Sequence, residues 1–392
     1  MKRKYLGCAI LAMFMTSCSN DDVVDNSLGS EITFRTITNA TLDKPGKKTR
    51  GNSINDLDHL TAFKVSALKR GETGTVGNFF TDMTVTNAGD GTWTNGEKHY
   101  WPSYALDFYA YAPTDVSGVS VATGAADGST KVISAFTPSS TVAEQKDLMV
   151  AANLTVPLKT KPVPLHFKHA LTQIEIKAKC GDPNIRIKVK GVKIVNVHNK
   201  GDFRFPTATS GASTSFGTWT SPTDFTTPLD AAGTNSYILK AQGTGDIVTL
   251  GSSPASIMFG DNNFMLIPQN LTSMGWDGTA HTNGAYIAVF CNIYNISGNQ
   301  VIYPEGMTEN DFAYSAVPVT TYWKAGKKYI YTLDFCGTSS GAGEVDPNAN
   351  KPADPDDKTP SDKGGKEILE SPISFSVTMD NWTDEELAGL MK

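Results

Sequence analysis

The chain has 392 residues and a formal net charge of -6 at pH 7. This length exceeds the usual size of one domain, about 100 to 200 residues, so we expect two domains. The negative charge and the short basic runs argue against nucleic acid as a partner, because binding a phosphate backbone needs clustered Lys and Arg.

The first residues have the layout of a bacterial lipoprotein signal. Residues 2–4 are basic, and residues 6–15 are mostly apolar but too few to span a membrane, which takes about 20 residues. The run ends at two small residues before Cys18. We predict a signal peptide at 1–17 and a fatty-acylated Cys18 that anchors the chain in the outer membrane, with an ordinary secretory signal as the alternative. The acidic pair at 21–22 resembles a surface-export signal, which predicts display on the cell surface.

After the signal, helical periodicity is almost absent and the pattern is that of an all-β protein. Short runs rich in Val, Ile, Thr, Phe and Tyr alternate with clusters of Gly, Asn, Asp, Ser and Pro. About a dozen strands exceed one sandwich of seven, so we predict two β-sandwich domains in series. The predicted strands are 32–34, 60–68, 106–111, 131–136, 171–178, 185–197, 236–240, 247–250, 264–267, 285–294, 329–335 and 373–379.

Two changes of composition divide the chain. Three prolines lie within 157–164, which favours an extended connector and places the domain boundary near residue 160. The predicted domains are therefore 51–160 and 161–392. Residues 337–366 are rich in Gly, Pro, Asp, Asn and Lys, and a segment that buries so little apolar surface is expected to be a mobile loop.

The cysteines do not form a complete disulfide framework. Cys8 would leave with the signal and Cys18 would carry the lipid, so Cys180, Cys291 and Cys336 remain, an odd number. Cys180 and Cys336 lie at the ends of predicted strands. We expect them to be buried as small hydrophobic residues, with one disulfide among the three as the alternative.

We find no convincing catalytic or metal-binding pattern. The six histidines include no HExxH motif. The closest pair, His166 and His169, is separated by an odd offset, so a strand would point them to opposite faces. We therefore expect the protein not to be an enzyme and to hold neither a metal ion nor a cofactor.

Aromatic residues crowd the stretch 93–113. Exposed aromatic faces stack on sugar rings, so a surface glycan-binding lipoprotein with Trp101 in its platform is an alternative function. Phe108 and Ala110 alternate with polar or larger residues, however, so at least half of this strand has to face inward. We therefore expect the cluster to belong mainly to a sandwich core.

Several motifs occur in the order seen in fimbrillin-like proteins, which the chain resembles from Cys18 to about Trp382. The resemblance implies two transthyretin-like β-sandwich domains in a subunit of lipoprotein-derived, type V pili. It also implies a structural and adhesive role in a surface fimbria, with other pilus subunits as partners. The motifs are Tyr100-Trp101-Pro102, LDFYAYAP at 106–113, DLMVA at 147–151, LHFKHAL at 165–171 and WKAGKKYIY at 323–331.

The resemblance further implies how such a subunit matures. A trypsin-like protease cuts after an arginine, and the first strand leaves its groove. A strand of another subunit then adds to the open sheet edge, where backbone hydrogen bonds and alternate side chains hold it. Here the first strand is 31–35, and its apolar residues are Ile32 and Phe34.

The bond predicted to be cut is Arg50-Gly51. It follows a Pro-Gly pair and ends the basic cluster 47–50, which offers a cation to a trypsin-like S1 pocket. Residues 18–50 would then be a propeptide that leaves with the lipid anchor. The alternative is a solvated basic loop that is never cut.

The last predicted strand has two possible roles. Its alternating apolar residues are Ile373, Phe375, Val377 and Met379. They form a ladder that suits donation to another subunit, and they equally suit completion of the chain's own second sandwich. Both assignments remain open from the sequence.

Overall fold

The computed structural model describes residues 29–38, 60–69, 77–89, 92–122, 130–207, 217–220, 236–271, 284–338, 340–369 and 371–382. These residues form β-strands and short 3-10 turns and contain no α-helix, which confirms the all-β prediction. No helix long and apolar enough to cross a membrane occurs within these ranges. Cys18, Arg50 and Gly51, which carry the lipidation and cleavage predictions, lie outside the described residues.

The described strands are numbered in chain order, and the 3-10 turns are Val142–Glu144, Thr244–Asp246 and Phe259–Asp261. The strands are β1 Phe34–Thr38, β2 Ala62–Lys69, β3 Gly77–Asn87, β4 Trp93–Asn95, β5 Leu106–Ala112, β6 Val119–Ala122, β7 Thr130–Phe136, β8 Met149–Val156, β9 Val163–His169, β10 Thr172–Cys180, β11 Ile185–Val195, β12 Gly201–Arg204, β13 Thr218–Thr220, β14 Tyr237–Lys240, β15 Val248–Thr249, β16 Ala255–Ser256, β17 Phe264–Leu266, β18 Tyr286–Asn295, β19 Gln300–Tyr303, β20 Ala313–Pro318, β21 Lys327–Phe335, β22 Glu344–Val345 and β23 Ser374–Asn381.

The first large sheet has seven strands in the order β1-β9-β8-β5-β2-β3-β4. Its central strand β5 is buried along its whole length, because both faces of the sheet are covered. On one face, Phe63, Phe108 and Trp101 form the main core with Ile32 and Phe34. On the other face, a four-stranded sheet, β13-β12-β7-β6, packs against Tyr109 and its neighbours.

The second half of the chain forms two more sheets that face each other. One is built on β16-β10-β21-β23 and the other on β14-β11-β18-β20-β22. Inward residues at alternate positions of these strands make the largest core of the protein, for example Ile174 and Ile176 of β10 and Tyr329 and Tyr331 of β21. This is the layer arrangement expected of a β-sandwich.

The boundary predicted near residue 160 does not coincide with the edge of the first sheet. Strand β9 hydrogen-bonds to β8 and lies parallel to β1, so the first sheet extends to His169. The prolines lie in the β8–β9 connection and within β9 itself, where Pro164 accepts a hydrogen bond from the Asn153 amide at 2.9 Å. Proline thus marks a turn and a strand here rather than a linker between sheets.

Residues 337–366, predicted to be a mobile loop, make packed contacts in this structure. Strand β22 pairs with β20, and the residues after it lie over the outer face of that sheet. We call residues 344–359 the covering segment. Asp346, which is fully buried, forms an ion pair of 2.5 Å with the buried Lys193 and accepts a hydrogen bond of 2.8 Å from the Tyr286 hydroxyl. A segment of polar composition can therefore be packed, because a buried charged side chain of the sheet, Lys193, forms an ion pair with a carboxylate of the segment.

Candidate functional site

Residues 30–38 lie in a groove of the N-terminal core. They comprise β1 and the four residues before it, and we call them the first strand. Ile32 is 0% exposed and Phe34 is 4% exposed. The Phe34 ring meets the Phe108 ring edge to face at 5.7 Å between centroids, and the Phe63 ring at 6.3 Å. Alternation places both apolar side chains on the core face of the strand and the Arg35 side chain in solvent.

Hydrogen bonds hold this strand from two sides. On one side, β1 runs parallel to β9 from the pair Phe34 and Val163 onward, and the Val163 N–H donates to the Thr33 carbonyl at 2.7 Å. On the other side, the Ile32 N–H donates to the His99 carbonyl at 2.8 Å. The Asn95 side-chain amide donates to the Ile32 carbonyl at 2.7 Å. The residues 30–38 therefore join the β9 edge of the sheet to the segment that follows β4.

Loss of this strand would expose both apolar surface and backbone groups. Burying a large apolar side chain contributes about 1.5 to 3 kcal/mol, so Ile32 and Phe34 together contribute roughly 3 to 6 kcal/mol. The Val163 N–H and the His99 carbonyl would also lose their partners. The vacated groove would expose the edge of β9 together with the apolar surface that Ile32 and Phe34 had covered. Such a surface is of the kind that binds an extended strand.

The last strand lies at the edge of a different sheet. β23 pairs antiparallel with β21 over eight residue pairs, from Ser374 opposite Asp334 to Asn381 opposite Lys327. Ile373 is 3% exposed, whereas Met379 is 50% exposed, so the apolar residues are buried at the start of the strand and exposed at its end. In this structure the strand occupies an edge of the chain's own second sandwich.

Trp382 closes the end of β23. Its ring stacks on His169 at 4.4 Å between centroids with an interplanar angle of 6°, and the backbone N–H of Trp382 donates to the Gly326 carbonyl at 3.1 Å. Asp147, buried beside it, lies 2.7 Å from the Nδ1 atom of His169. The end of the last strand is thus fixed against β9 of the first sheet. The sequence feature that could have indicated this contact is the tryptophan directly after the alternating strand, although the sequence does not indicate its partner.

The family of the chain is established by a sequence comparison. A family model described as fimbrillin-like matches residues 49–348, which is most of the chain. The chain belongs to the fimbrillin-like family. The resemblance inferred from the motifs is therefore confirmed, and no curated protein gives a significant match.

Solved structures similar to this fimbrillin-like protein include a candidate cell adhesion protein and two fimbrial proteins. A candidate cell adhesion protein from Bacteroides ovatus is 14% identical, and the match covers 91% of this chain and 99% of that chain with a TM-score of 0.43. The fimbrial anchor protein Mfa2 from Porphyromonas gingivalis is 10% identical, with 78% and 90% covered and a TM-score of 0.31. The tip fimbrial protein Mfa3 from the same species is 9% identical, with 85% and 97% covered and a TM-score of 0.33.

The aromatic stretch of this fimbrillin-like protein belongs mainly to the core. Trp101 is 2% exposed and its ring lies 5.9 Å from that of Phe108, so its face is not available to a sugar ring. Tyr109 and Tyr111 are buried as well, and Tyr100 is the exposed member of the group at 51%. The glycan-platform alternative is therefore wrong about Trp101.

The histidines within the described residues, which exclude His59 and His281, do not converge on a metal site. His166 is exposed, while the neighbouring His169 is turned toward Asp147 and Trp382, as the odd offset predicted. In the part of the chain that the structure describes, no three His, Cys, Asp or Glu side chains are grouped to hold a metal ion. Burial lowers the pKa of His198 to about 4, so this side chain is neutral at physiological pH.

A polar network missed by the sequence reasoning links the first sheet to the four-stranded sheet. Lys131 of β7 is fully buried, and its Nζ lies 2.9 Å from both the Ser66 hydroxyl and an Asp82 carboxylate oxygen. Burial raises the pKa of Tyr111, and the neighbouring Asp82 raises it further. Since a buried ammonium is costly without partners, this network fixes the relative position of β2, β3 and β7. No local sequence pattern signals such a contact.

Proposed function

We propose that this fimbrillin-like protein is a structural, non-enzymatic subunit of a surface fimbria, which contributes to adhesion and assembles by strand exchange. Membership of the family supports the fimbrial role. The observation that carries the strand exchange is the position of the first strand. It supplies two buried apolar side chains and is hydrogen-bonded on both sides, yet it belongs to the part of the chain that precedes the basic cluster at 47–50.

In this proposal the N-terminal part of the chain serves transport to the surface. The lipid on Cys18 holds the precursor at the outer membrane, and β1 keeps the groove filled until a trypsin-like protease cuts the Arg50-Gly51 bond. Because the lipid site and β1 both precede that bond, one cut separates both of them from the body. The groove therefore becomes available only after export.

The strand that replaces β1 comes from another subunit. It has to present two apolar residues two positions apart, as Ile32 and Phe34 do, and to offer backbone groups to β9 and to the His99 carbonyl. We assign β23 to its own sandwich rather than to this role. Its release would break an eight-residue ladder and expose Ile373 and Trp382, which are both 3% exposed.

Limited digestion of the full chain with an arginine-specific protease tests the cleavage. The chain has six arginines, so the fragments are few and can be assigned by N-terminal sequencing. We expect a stable body that begins at Gly51. The variant Arg50→Gln should block this product, whereas the matched control Arg35→Gln, in the hydrogen-bonded strand, should leave it unchanged. A body that begins elsewhere, or no stable body, contradicts the proposed cut.

A second measurement tests the groove itself. The cut body is separated from its N-terminal fragment and titrated with a fluorescent peptide of residues 29–38. We expect binding to the cut body and none to the uncut chain, whose groove is filled. A control peptide with serine in place of Ile32 and Phe34 should bind at least 100-fold more weakly, because roughly 3 to 6 kcal/mol of apolar burial is lost. Equal binding of both peptides contradicts strand exchange at this groove.

A further inference from the structure

The ends of strands β10 and β21 bring two cysteines together. The two strands run parallel over eight residue pairs, and the last pair is Cys180 with Phe335. Cys336 follows directly, and the Gly181 N–H donates to the Phe335 carbonyl at 3.0 Å. The backbones also approach closely beyond the ladder, because a side-chain carbon added at Gly181 would lie 3.2 Å from the Cα atom of Gly337.

The backbone conformation of Cys336 turns its side chain toward Cys180. In a continuing strand, Cys336 would point away from the core, since Phe335 points into it. Cys336 instead has a φ of 52°, which is uncommon for a residue with a side chain, and it packs against the same core cluster that contains Cys180. The two thiols lie close enough to interact, and this interaction lowers the pKa of Cys180 and raises the pKa of Cys336.

We propose that Cys180 and Cys336 are a redox pair that forms a disulfide joining the ends of β10 and β21. Strand spacing and rise place the Cα atoms of such a diagonal pair about 6 Å apart. That separation lies within the range of about 4.4 to 6.8 Å that a disulfide requires. The sequence alone leaves the pairing of the three cysteines open.

The reaction is a thiol–disulfide exchange with an external disulfide as oxidant. One thiolate of the pair attacks the external disulfide, forms a mixed disulfide and releases one external thiol. The second thiolate then attacks the pair's own sulfur in the mixed disulfide and releases the second external thiol. Two protons and two electrons pass from the cysteine pair to the oxidant. Cys180 is the thiolate that attacks, because the interaction between the two thiols lowers its pKa and raises that of Cys336, the more exposed of the two.

Cys291 provides an internal control for this proposal. It is fully buried in β18 of the facing sheet, and burial raises its pKa to about 12, so it is a poor nucleophile at neutral pH. An external disulfide should therefore leave it as a thiol. Oxidation that reached all three cysteines without selection would reflect unfolding rather than a built pair.

The functional consequence concerns the region beyond β21. Cys336 stands where the chain leaves β21 for the covering segment, and Ser340 of the intervening turn accepts a hydrogen bond of 2.7 Å from the Ser374 N–H at the start of β23. A disulfide at this point fixes the exit of β21 and, through this turn, the start of the last strand. The oxidised protein should therefore unfold at a higher temperature than the reduced protein, by roughly 5 to 10 °C.

The test is peptide mapping of the full chain after equilibration with oxidised and reduced glutathione. Free thiols are blocked with an alkylating reagent before digestion under non-reducing conditions. We expect a cross-linked pair of peptides that contain Cys180 and Cys336, lighter than the two free peptides by two hydrogen atoms, and an alkylated Cys291. The cross-link and the rise in Tm should vanish in Cys336→Ser and persist in the matched variant Cys291→Ala.

Two outcomes would overturn the proposal. Alkylation of both Cys180 and Cys336 after incubation with excess oxidised glutathione would show that the pair does not close. A bond from either of them to Cys291 would show that the geometry is different. The mapping uses the wild-type chain, so it gives an answer even where a variant folds poorly, and it is independent of the proposed fimbrial role.

Discussion

Replacing Phe34 with alanine should destabilise the N-terminal core although the residue lies in a five-residue strand at the edge of its sheet. The side chain is 4% exposed and meets the rings of Phe108 and Phe63, so its loss leaves a cavity that these rings cannot fill. Truncation of a buried phenylalanine costs about 3 to 5 kcal/mol. We expect the free energy of unfolding to fall by this amount in Phe34→Ala.

Urea unfolding followed by tryptophan fluorescence measures this effect near the groove. Trp101 is buried 5.9 Å from the Phe108 ring and therefore reports on the same core. The matched control is Arg35→Ala in the same strand, whose exposed side chain should change stability by less than about 0.5 kcal/mol. Equal unfolding midpoints for the two variants would refute the reasoning, because they would show that β1 contributes nothing to the folded core.

Three further predictions concern other parts of the molecule. Asp346→Asn should cost about 3 to 5 kcal/mol because it leaves the buried Lys193 without its counter-charge, and a double variant with apolar residues at both positions should recover much of this loss in urea unfolding. Trp382→Ala removes the ring that stacks on His169, so amide hydrogen exchange should quicken in β23 and stay unchanged in β5. The buried His198 should make the free energy of unfolding fall by at most about 3 kcal/mol as the pH drops from about 6.5 to about 4. The reason is that the unfolded chain binds a proton at this side chain, whereas burial keeps the folded side chain neutral. In His198→Gln, the melting temperature should therefore depend less on pH within this window.

Strands that alternate clearly could be predicted from the sequence to within one or two residues. The run from Ile373 to Met379 corresponds to β23, and the run 185–197 contains β11. Alternation reports which side chains face a core, so it locates strands that have one covered face. Strand β3 lacked a continuous apolar pattern, since exposed residues interrupt its buried positions, and it was not predicted.

Long-range contacts of polar residues could not be predicted in the same way. The covering segment has the composition of a loop, and the partner of its Asp346 is Lys193, which lies in a strand far away in the sequence. The composition of a segment indicates how much apolar area it can bury, but it does not indicate whether one of its charged residues forms a buried ion pair with a distant residue. The prolines near residue 160 were misleading for a related reason. Proline indicates a turn or an extended chain, and only the pairing of β9 with β8 and β1 decides to which sheet that chain belongs.

The two ends of the chain are held differently, which bears on which of them would take part in the proposed strand exchange. The last strand is continuous with its sheet through eight residue pairs and is fixed beyond it by Trp382. The first strand pairs with β9 over five residues, and the bonds of Ile32 and its neighbours on the other side are made to a connecting segment. Its contribution is concentrated in two side chains, so the proposed exchange requires of the incoming strand only the same two apolar positions. Exchange is therefore physically simpler at the first strand than at the last, which is why the groove of Ile32 and Phe34 is the place to look for assembly.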